Sequence, residues 1–168
     1  MKAYVEEYRK WLDNPALSEA EWNELNAIAG DEKEIQERFF APLEFGTAGL
    51  RGTMKTGLHN MNVHIIRHAT QAFADVILAD TSSAAEKSVV IAHDCRLNGE
   101  LFASEAACVM AANGIRVYYF DELRPTPELS FAVRHYHTTA GLNITASHNP
   151  KEYNGYKVYW SDGAQLPP

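Results

Sequence analysis

Ser147 and His148 stand side by side in the stretch Thr-Ala-Ser-His-Asn-Pro, residues 145–150. A serine beside an imidazole raises the chemistry of an activated hydroxyl nucleophile. Two points count against a hydrolase pair. The Gly-x-Ser-x-Gly turn that exposes such a serine is absent, and adjacent side chains usually diverge, so the spacing does not make His148 the base of Ser147. Lys157 follows ten residues later. A chain that doubles back between the two returns its ammonium toward the serine, where it suits holding a phosphate or moving a proton. On the residues alone, the stretch is a candidate phosphate site.

Three other groups of residues invite chemistry. Four glycines (46, 49, 52 and 57) crowd the segment Phe-Gly-Thr-Ala-Gly-Leu-Arg-Gly-Thr-Met-Lys-Thr-Gly, with Arg51 among them. The order is not Gly-x-Gly-x-x-Gly, and no buried strand precedes it, so a dinucleotide site is disfavoured. Arg51 reads equally well as a phosphate or carboxylate ligand and as a surface arginine on a glycine-rich hairpin. Asp94 and Arg96 follow an apolar run, where α/β proteins build sites. Pairing with each other or with neighbouring loops is the favoured reading. His64 and His68 share a helical face but lack the Glu of His-Glu-x-x-His and a clear third ligand. They read as packed or solvated, and His135 and His137 are no more specific.

The elements that position these residues follow from periodicity. Tyr4, Tyr8, Trp11 and Leu12 fall at helical spacing, and Asp13-Asn14-Pro15 stops that helix. Ser18 with Glu21 forms a capping box for a second helix ending near Gly30. Asp31 caps a third, reaching Phe39 or Phe40. The aromatics of this region read as packing. Apolar residues at 65, 66, 69, 73, 76 and 77 predict a helix over 63–78. Residues 88–94 read as a buried strand, 99–112 as a helix with Cys108 in its core, 115–120 as a second buried strand, and about 127–136 as a helix. Residues 140–146 read as a third strand. Residues 155–160 read as a fourth, after an Asn154-Gly155 turn, with 147–155 irregular. Alternating strands and helices predict an α/β layer with a largely parallel core.

The 168 residues suit one α/β domain with an appendage. Apolar residues make up 46% and charged residues 22%, which supports a core without disulfides or a structural metal. The net charge of −7 disfavours a nucleic-acid groove. No apolar run reaches membrane-spanning length, and the charged N-terminus is unlike a signal peptide. Cys95 and Cys108 fit neither a redox pair nor a zinc site, so a reducing, cytoplasmic setting is expected. Asn143-Ile144-Thr145 matches the glycosylation pattern by chance on this reading.

Four segments together resemble a known family. Thr-Ala-Ser-His-Asn-Pro-Lys-Glu-Tyr-Asn-Gly-Tyr-Lys-Val-Tyr (145–159) resembles the active-site serine loop of the α-D-phosphohexomutases, the phosphoglucomutase and phosphomannomutase superfamily. Phe-Gly-Thr-Ala-Gly-Leu-Arg-Gly (45–52) is similar to its N-terminal signature. Residues 124–134 and 92–100 are similar to the two motifs between them. The form of the signature and the long helical start look most like the phosphopentomutase-like and glucose-1,6-bisphosphate-synthase-like branch.

The resemblance implies a three-layer α/β/α fold with a mixed, mainly parallel sheet, in which residues 155–160 are the antiparallel strand. It implies that Ser147 carries a phosphate, donates it to a sugar monophosphate and recovers the other phosphate of the resulting bisphosphate. The net transfer is between positions 1 and 6, or 1 and 5, of the sugar. Lys157 would serve as acid and base. Arg51, Asn149 and His148 would lie around the phosphate, with His148 part of the catalytic set. A cation about 4 Å from one phosphate charge contributes roughly 4 kcal/mol at an effective dielectric near 20.

The resemblance also implies Mg2+ bound to Ser147 through its phosphate, and a sugar bisphosphate activator. The family's Asp-Gly-Asp-x-Asp-Arg magnesium cluster belongs to its second domain and is not in this sequence. The expectation is a helical extension over 1–40 and domain I over 41–168, cut from a four-domain enzyme. Its partners would be a small sugar phosphate and the remaining domains of the same polypeptide, with neither nucleic acid nor membrane. Such a piece alone should lack turnover and bind magnesium weakly or not at all. The rival readings are a non-catalytic phosphosugar-binding or regulatory module and an unrelated Rossmann-like binding domain.

Overall fold

The computed structural model describes residues 2–47, 49–81 and 86–166. Ala48 of the glycine-rich stretch and the last two prolines lie outside the described residues. In chain order the elements are α1 (Ala3–Leu12), α2 (Glu19–Ala27), α3 (Glu32–Phe39), β1 (Leu50–Thr53), α4 (Val63–Ala79), β2 (Ser88–His93), α5 (Gly99–Ala112), β3 (Arg116–Tyr119), α6 (Thr126–His135), β4 (Ala140–Ile144) and β5 (Tyr153–Trp160). The strands form one sheet in the order β1-β5-β4-β2-β3. β2 runs parallel to β3 and β4, while β5 is antiparallel to both β4 and β1. Four strands therefore point one way and β5 alone runs back, the mixed, mainly parallel sheet expected from the resemblance.

Side-chain alternation along the strands sorts the core into two layers. Val89, Ile91, Leu142, Ile144, Tyr156 and Val158 pack with Ile66, Phe73 and Ile77 of α4 and Phe102 and Met110 of α5. On the opposite face Val90, Ala92 and Tyr159 meet Leu129, Ala132 and Val133 of α6. The result is an α/β/α sandwich. Among the described residues no helix is long and apolar enough to cross a membrane.

The first three helices have a core of their own, with Tyr8, Leu25, Ile35 and Phe39 at its centre and Tyr4, Trp11 and Leu12 around it. The aromatics pack, as their spacing predicts. The Ser18–Glu21 capping box forms, and Asp31 accepts a hydrogen bond from the Glu34 amide to start α3. Arg38 joins this unit to the sandwich. It pairs with Glu34 at 2.9 Å and with Glu24, and donates to the Thr56 carbonyl at 3.1 Å. His64 Nε2 lies 3.1 Å from Glu21 and packs edge-on against Trp11, so packing accounts for it.

Four expectations need correction. Residues 115–120 are not a buried strand: β3 is the sheet's edge, with Arg116 and Tyr119 exposed. Apolar edge and central strands look alike in a short run. Cys108 is exposed, because α5 buries Gly99, Phe102, Ala103, Ala106 and Met110 and position 108 falls off that stripe. Leu50–Thr53 of the four-glycine segment forms β1, a strand beyond the four read from the sequence. β5 starts at Tyr153, so Asn154-Gly155 lies inside the strand and not in a turn. There Gly155 lets three strands come close. A Cβ would stand 2.5 Å from the Thr145 carbonyl and 2.8 Å from that of Leu50, distances that carbon and oxygen do not tolerate.

Candidate active site

The C-terminal ends of β2 and β4 release two loops that hold each other. β4 ends at Ile144, and Ser147 follows in a left-handed conformation, φ +57°. For a residue with a side chain that backbone costs roughly 1–2 kcal/mol and persists only where the surroundings impose it. Local bonds contribute. The Ser147 amide donates to Thr145 Oγ1 at 3.1 Å, and the Asn149 amide to the Ala146 carbonyl at 3.1 Å.

Arg96 supplies the larger constraint. Its Nη2 donates to the Ser147 and Asn149 carbonyls at 2.9 and 2.7 Å, and its Nη1 to those of Pro150 and Tyr153, both at 2.9 Å. One planar guanidinium thus binds four carbonyls across seven residues, a use that suits its fixed fork. Asp94 completes the arrangement. Its carboxylate lies 3.6 Å from Arg96 Nε, accepts from the Arg96 amide at 3.0 Å and from Thr145 Oγ1 at 2.5 Å. The pairing expected for Asp94 and Arg96 is therefore present. No local pattern marks the serine loop, 51 or more residues away, as the further partner.

The other candidates converge unevenly. Arg51 comes from β1, after a tight turn in which Gly46 and Gly49 exchange backbone hydrogen bonds. It follows a glycine hairpin, but its Nη1 donates to Asn149 Oδ1 at 2.9 Å, while its Nε, buried, has no partner. Ser147 Oγ and His148 Nδ1 are 3.5 Å apart and both residues are exposed. The two adjacent side chains meet, at the long limit of a hydrogen bond.

Lys157 lies on β5, two positions beyond Gly155, the partner of Arg51. Its side chain therefore shares a face with Arg51. It makes no hydrogen bond to Ser147 or His148. Burial holds its pKa below the usual lysine value, with the charge of Arg51 adding to this and that of Asp94 opposing it. Lowering a lysine's pKa moves it in the direction that favours proton transfer.

A stability consequence follows. A depressed folded-state pKa means that the charged ammonium disfavours the native state. The penalty is complete below the folded pKa and fades as pH rises toward the unfolded value. Lys157→Met, similar in length and uncharged, is expected to raise the thermal midpoint at neutral pH, with the gain shrinking in alkaline buffer. Thermal unfolding across pH checks this. A lower midpoint at neutral pH would contradict it.

The site therefore combines a strained, exposed serine, an arginine with free donors and a lysine whose pKa burial lowers. Among the described residues no three His, Cys, Asp or Glu side chains are grouped as a metal requires, and Asp94 is engaged by Thr145 and Arg96.

Comparison with known proteins agrees with this geometry. The family model described as phosphoglucomutase/phosphomannomutase, alpha/beta/alpha domain I, matches residues 42–168. Phosphopentomutase of Mus musculus is 40% identical over 166 residues, covering 95% of this chain and 26% of its own length. Phosphoglucomutase of Staphylococcus aureus (strain USA300) is 48% identical over 133 residues, covering 79% of this chain and 24% of its own. A crystal structure of a phosphoglucomutase/phosphomannomutase family protein from Burkholderia thailandensis matches with a TM-score of 0.62 and 26% identity, over 74% of this chain and 27% of that one. The chain spans about a quarter of the length of these relatives. With the sandwich, the reversed β5 and the serine loop all in place, the chain belongs to the phosphoglucomutase/phosphomannomutase family and forms its α/β/α domain I.

Proposed function

We propose that this domain supplies the phosphate-carrying serine of a phosphosugar mutase. The observation that carries the reading is Ser147, held at positive φ by the Arg96 clamp in a loop that Arg51 joins through Asn149. Nothing in its packing calls for a serine there, and the neighbouring cations suit the roughly −1.5 to −2 charge of a phosphoserine.

In the forward step a sugar hydroxyl oxygen attacks phosphorus. The bond from phosphorus to Ser147 Oγ breaks, and a bond from phosphorus to the sugar oxygen forms. The hydroxyl proton leaves the sugar, and the serine oxygen receives one. Lys157 is the group assigned to this traffic; burial lowers its pKa from the usual lysine value. Arg51 neutralises phosphate charge, Asn149 sets the loop's shape, and His148 faces the phosphate as a neighbour. After the bisphosphate reorients, the same events run in reverse with the second phosphate. Phosphoryl transfer depends mainly on such positioning and charge. Magnesium, when bound to the Ser147 phosphate, would supply further charge stabilisation; its remaining ligands would come from outside this chain, and no step above is routed through it.

The test uses full-length protein containing this domain. Supplied with a hexose or pentose 1-phosphate and a trace of the sugar bisphosphate, it should form the 6- or 5-phosphate, followed by 31P NMR. The 168-residue chain alone should give no turnover. Absence of interconversion by the full-length protein for every hexose and pentose phosphate tried would favour a non-catalytic phosphosugar-binding module. Turnover by the isolated chain would contradict the assignment of this domain as one part of the site.

A further inference from the structure

Two polar groups on one rung of the sheet lack partners. Asn143 and Lys157 are directly opposite in the β4–β5 ladder, so their side chains share a face. Asn143 is 1% exposed. Its Nδ2 donates to Thr126 Oγ1, at the start of α6, at 2.9 Å. In this arrangement Oδ1 is buried without a hydrogen bond. A buried acceptor with no donor is costly, and an aliphatic residue would pack this position in β4 without that cost. Across the rung, the Lys157 ammonium carries three donors and bonds to none of the described residues.

We propose that Asn143, oriented by Thr126, is a positioning residue for Lys157: its Oδ1 accepts a hydrogen bond from the ammonium and holds it near the end of β4, where the Ser147 loop begins. The proposal rests on the reading of Lys157 as the proton-transfer group. The charged groups bearing on Lys157 are Arg51 from β1 and Asp94 after β2. β4 and the start of α6 present the neutral Asn143 and Thr126, and Glu128, further along α6, pairs with Arg124. Among the described residues of this face, Asn143 is the neutral acceptor that the register sets opposite the lysine. It also gives the Thr126 segment, which the serine chemistry leaves unexplained, a role in the site.

The test is a pH titration of the Lys157 side chain, followed by its 13Cε NMR signal in the 168-residue chain without sugar phosphate. Asn143→Leu should lower the midpoint, and Thr126→Val should move it in the same direction by less. Asn143→Asp places a carboxylate on the rung and should raise the midpoint by about 1–3 units. Should the aspartate variant fail to fold, the leucine and valine variants still decide. Folded leucine and valine variants that titrate at the wild-type midpoint would overturn the proposal. In full-length enzyme, Asn143→Leu should lower kcat more than it changes KM and move the basic limb of the pH profile with the NMR midpoint; a rise in KM alone would count against positioning. Because the titration needs no turnover, it can fail while the phosphoserine reading stands. An unphosphorylated Ser147 would in turn remove that reading without touching the coupling.

Discussion

Ser147→Ala is expected to reduce sugar-phosphate interconversion by the full-length enzyme by roughly 10⁴-fold or more, because the group that forms the covalent intermediate is gone. The fold should not notice. Ser147 is exposed, and the nearest polar contact of its Oγ is His148 at 3.5 Å, so the thermal midpoint should stay within about a degree of wild type. Ser147→Gly sharpens the point. Glycine adopts φ +57° without the Cβ penalty, and relief of that strain should stabilise the chain by about 1 kcal/mol. A position that is more stable as glycine, and inactive as either glycine or alanine, is a serine kept for chemistry. Substantial activity in the alanine variant would place the phosphate carrier elsewhere.

Arg96→Ala should be costly in both stability and rate. Four carbonyls, those of Ser147, Asn149, Pro150 and Tyr153, lose their donor together. The Arg96 side chain is only 12% exposed, so water replaces it incompletely. A loss of about 3 kcal/mol is expected, read by urea unfolding. Freed of the clamp, the loop can leave the left-handed conformation at Ser147. A misplacement on the order of 1 Å at a reacting group is worth about 10²-fold in rate, and kcat of the full-length enzyme should fall by at least that. Arg96→Lys separates charge from shape. Lysine keeps the charge beside Asp94 but cannot present two nitrogens to four oxygens, so it should resemble alanine in rate. Near wild-type kcat in the lysine variant would show that charge, not the fork, holds the loop.

The two variants also mark where the sequence was informative. Helices α1 to α6 were readable from apolar spacing and caps, as with the Ser18–Glu21 box, because those signals are local. So were β2, β4 and the reversed strand at 155–160. β1 was not, since four residues set among glycines carry no periodicity. A buried helix does not bury every residue: the stripe through Phe102, Ala106 and Met110 leaves Cys108 outside.

In the site, Ser147 and Lys157 point to phosphate chemistry on the residues alone, Arg51 reads evenly between ligand and hairpin arginine, and Asn149 enters only through the family resemblance. What joins them was not visible. The Arg96 clamp spans 51 to 57 residues of chain, the positive φ of Ser147 falls on a residue type with no strong preference for it, and the Asn143–Thr126 bond crosses from strand to helix. Each depends on tertiary proximity, which the sequence encodes only through the completed sandwich.

The central claim is that Ser147 carries phosphate, and the most direct measurement is tandem mass spectrometry of full-length enzyme isolated in its active form. One phosphate located on Ser147, turned over when sugar monophosphate is added, restored by sugar bisphosphate and missing from Ser147→Ala, is the predicted result. An enzyme that interconverts sugar phosphates with Ser147 unmodified throughout, or whose phosphate survives the alanine substitution, would contradict the account.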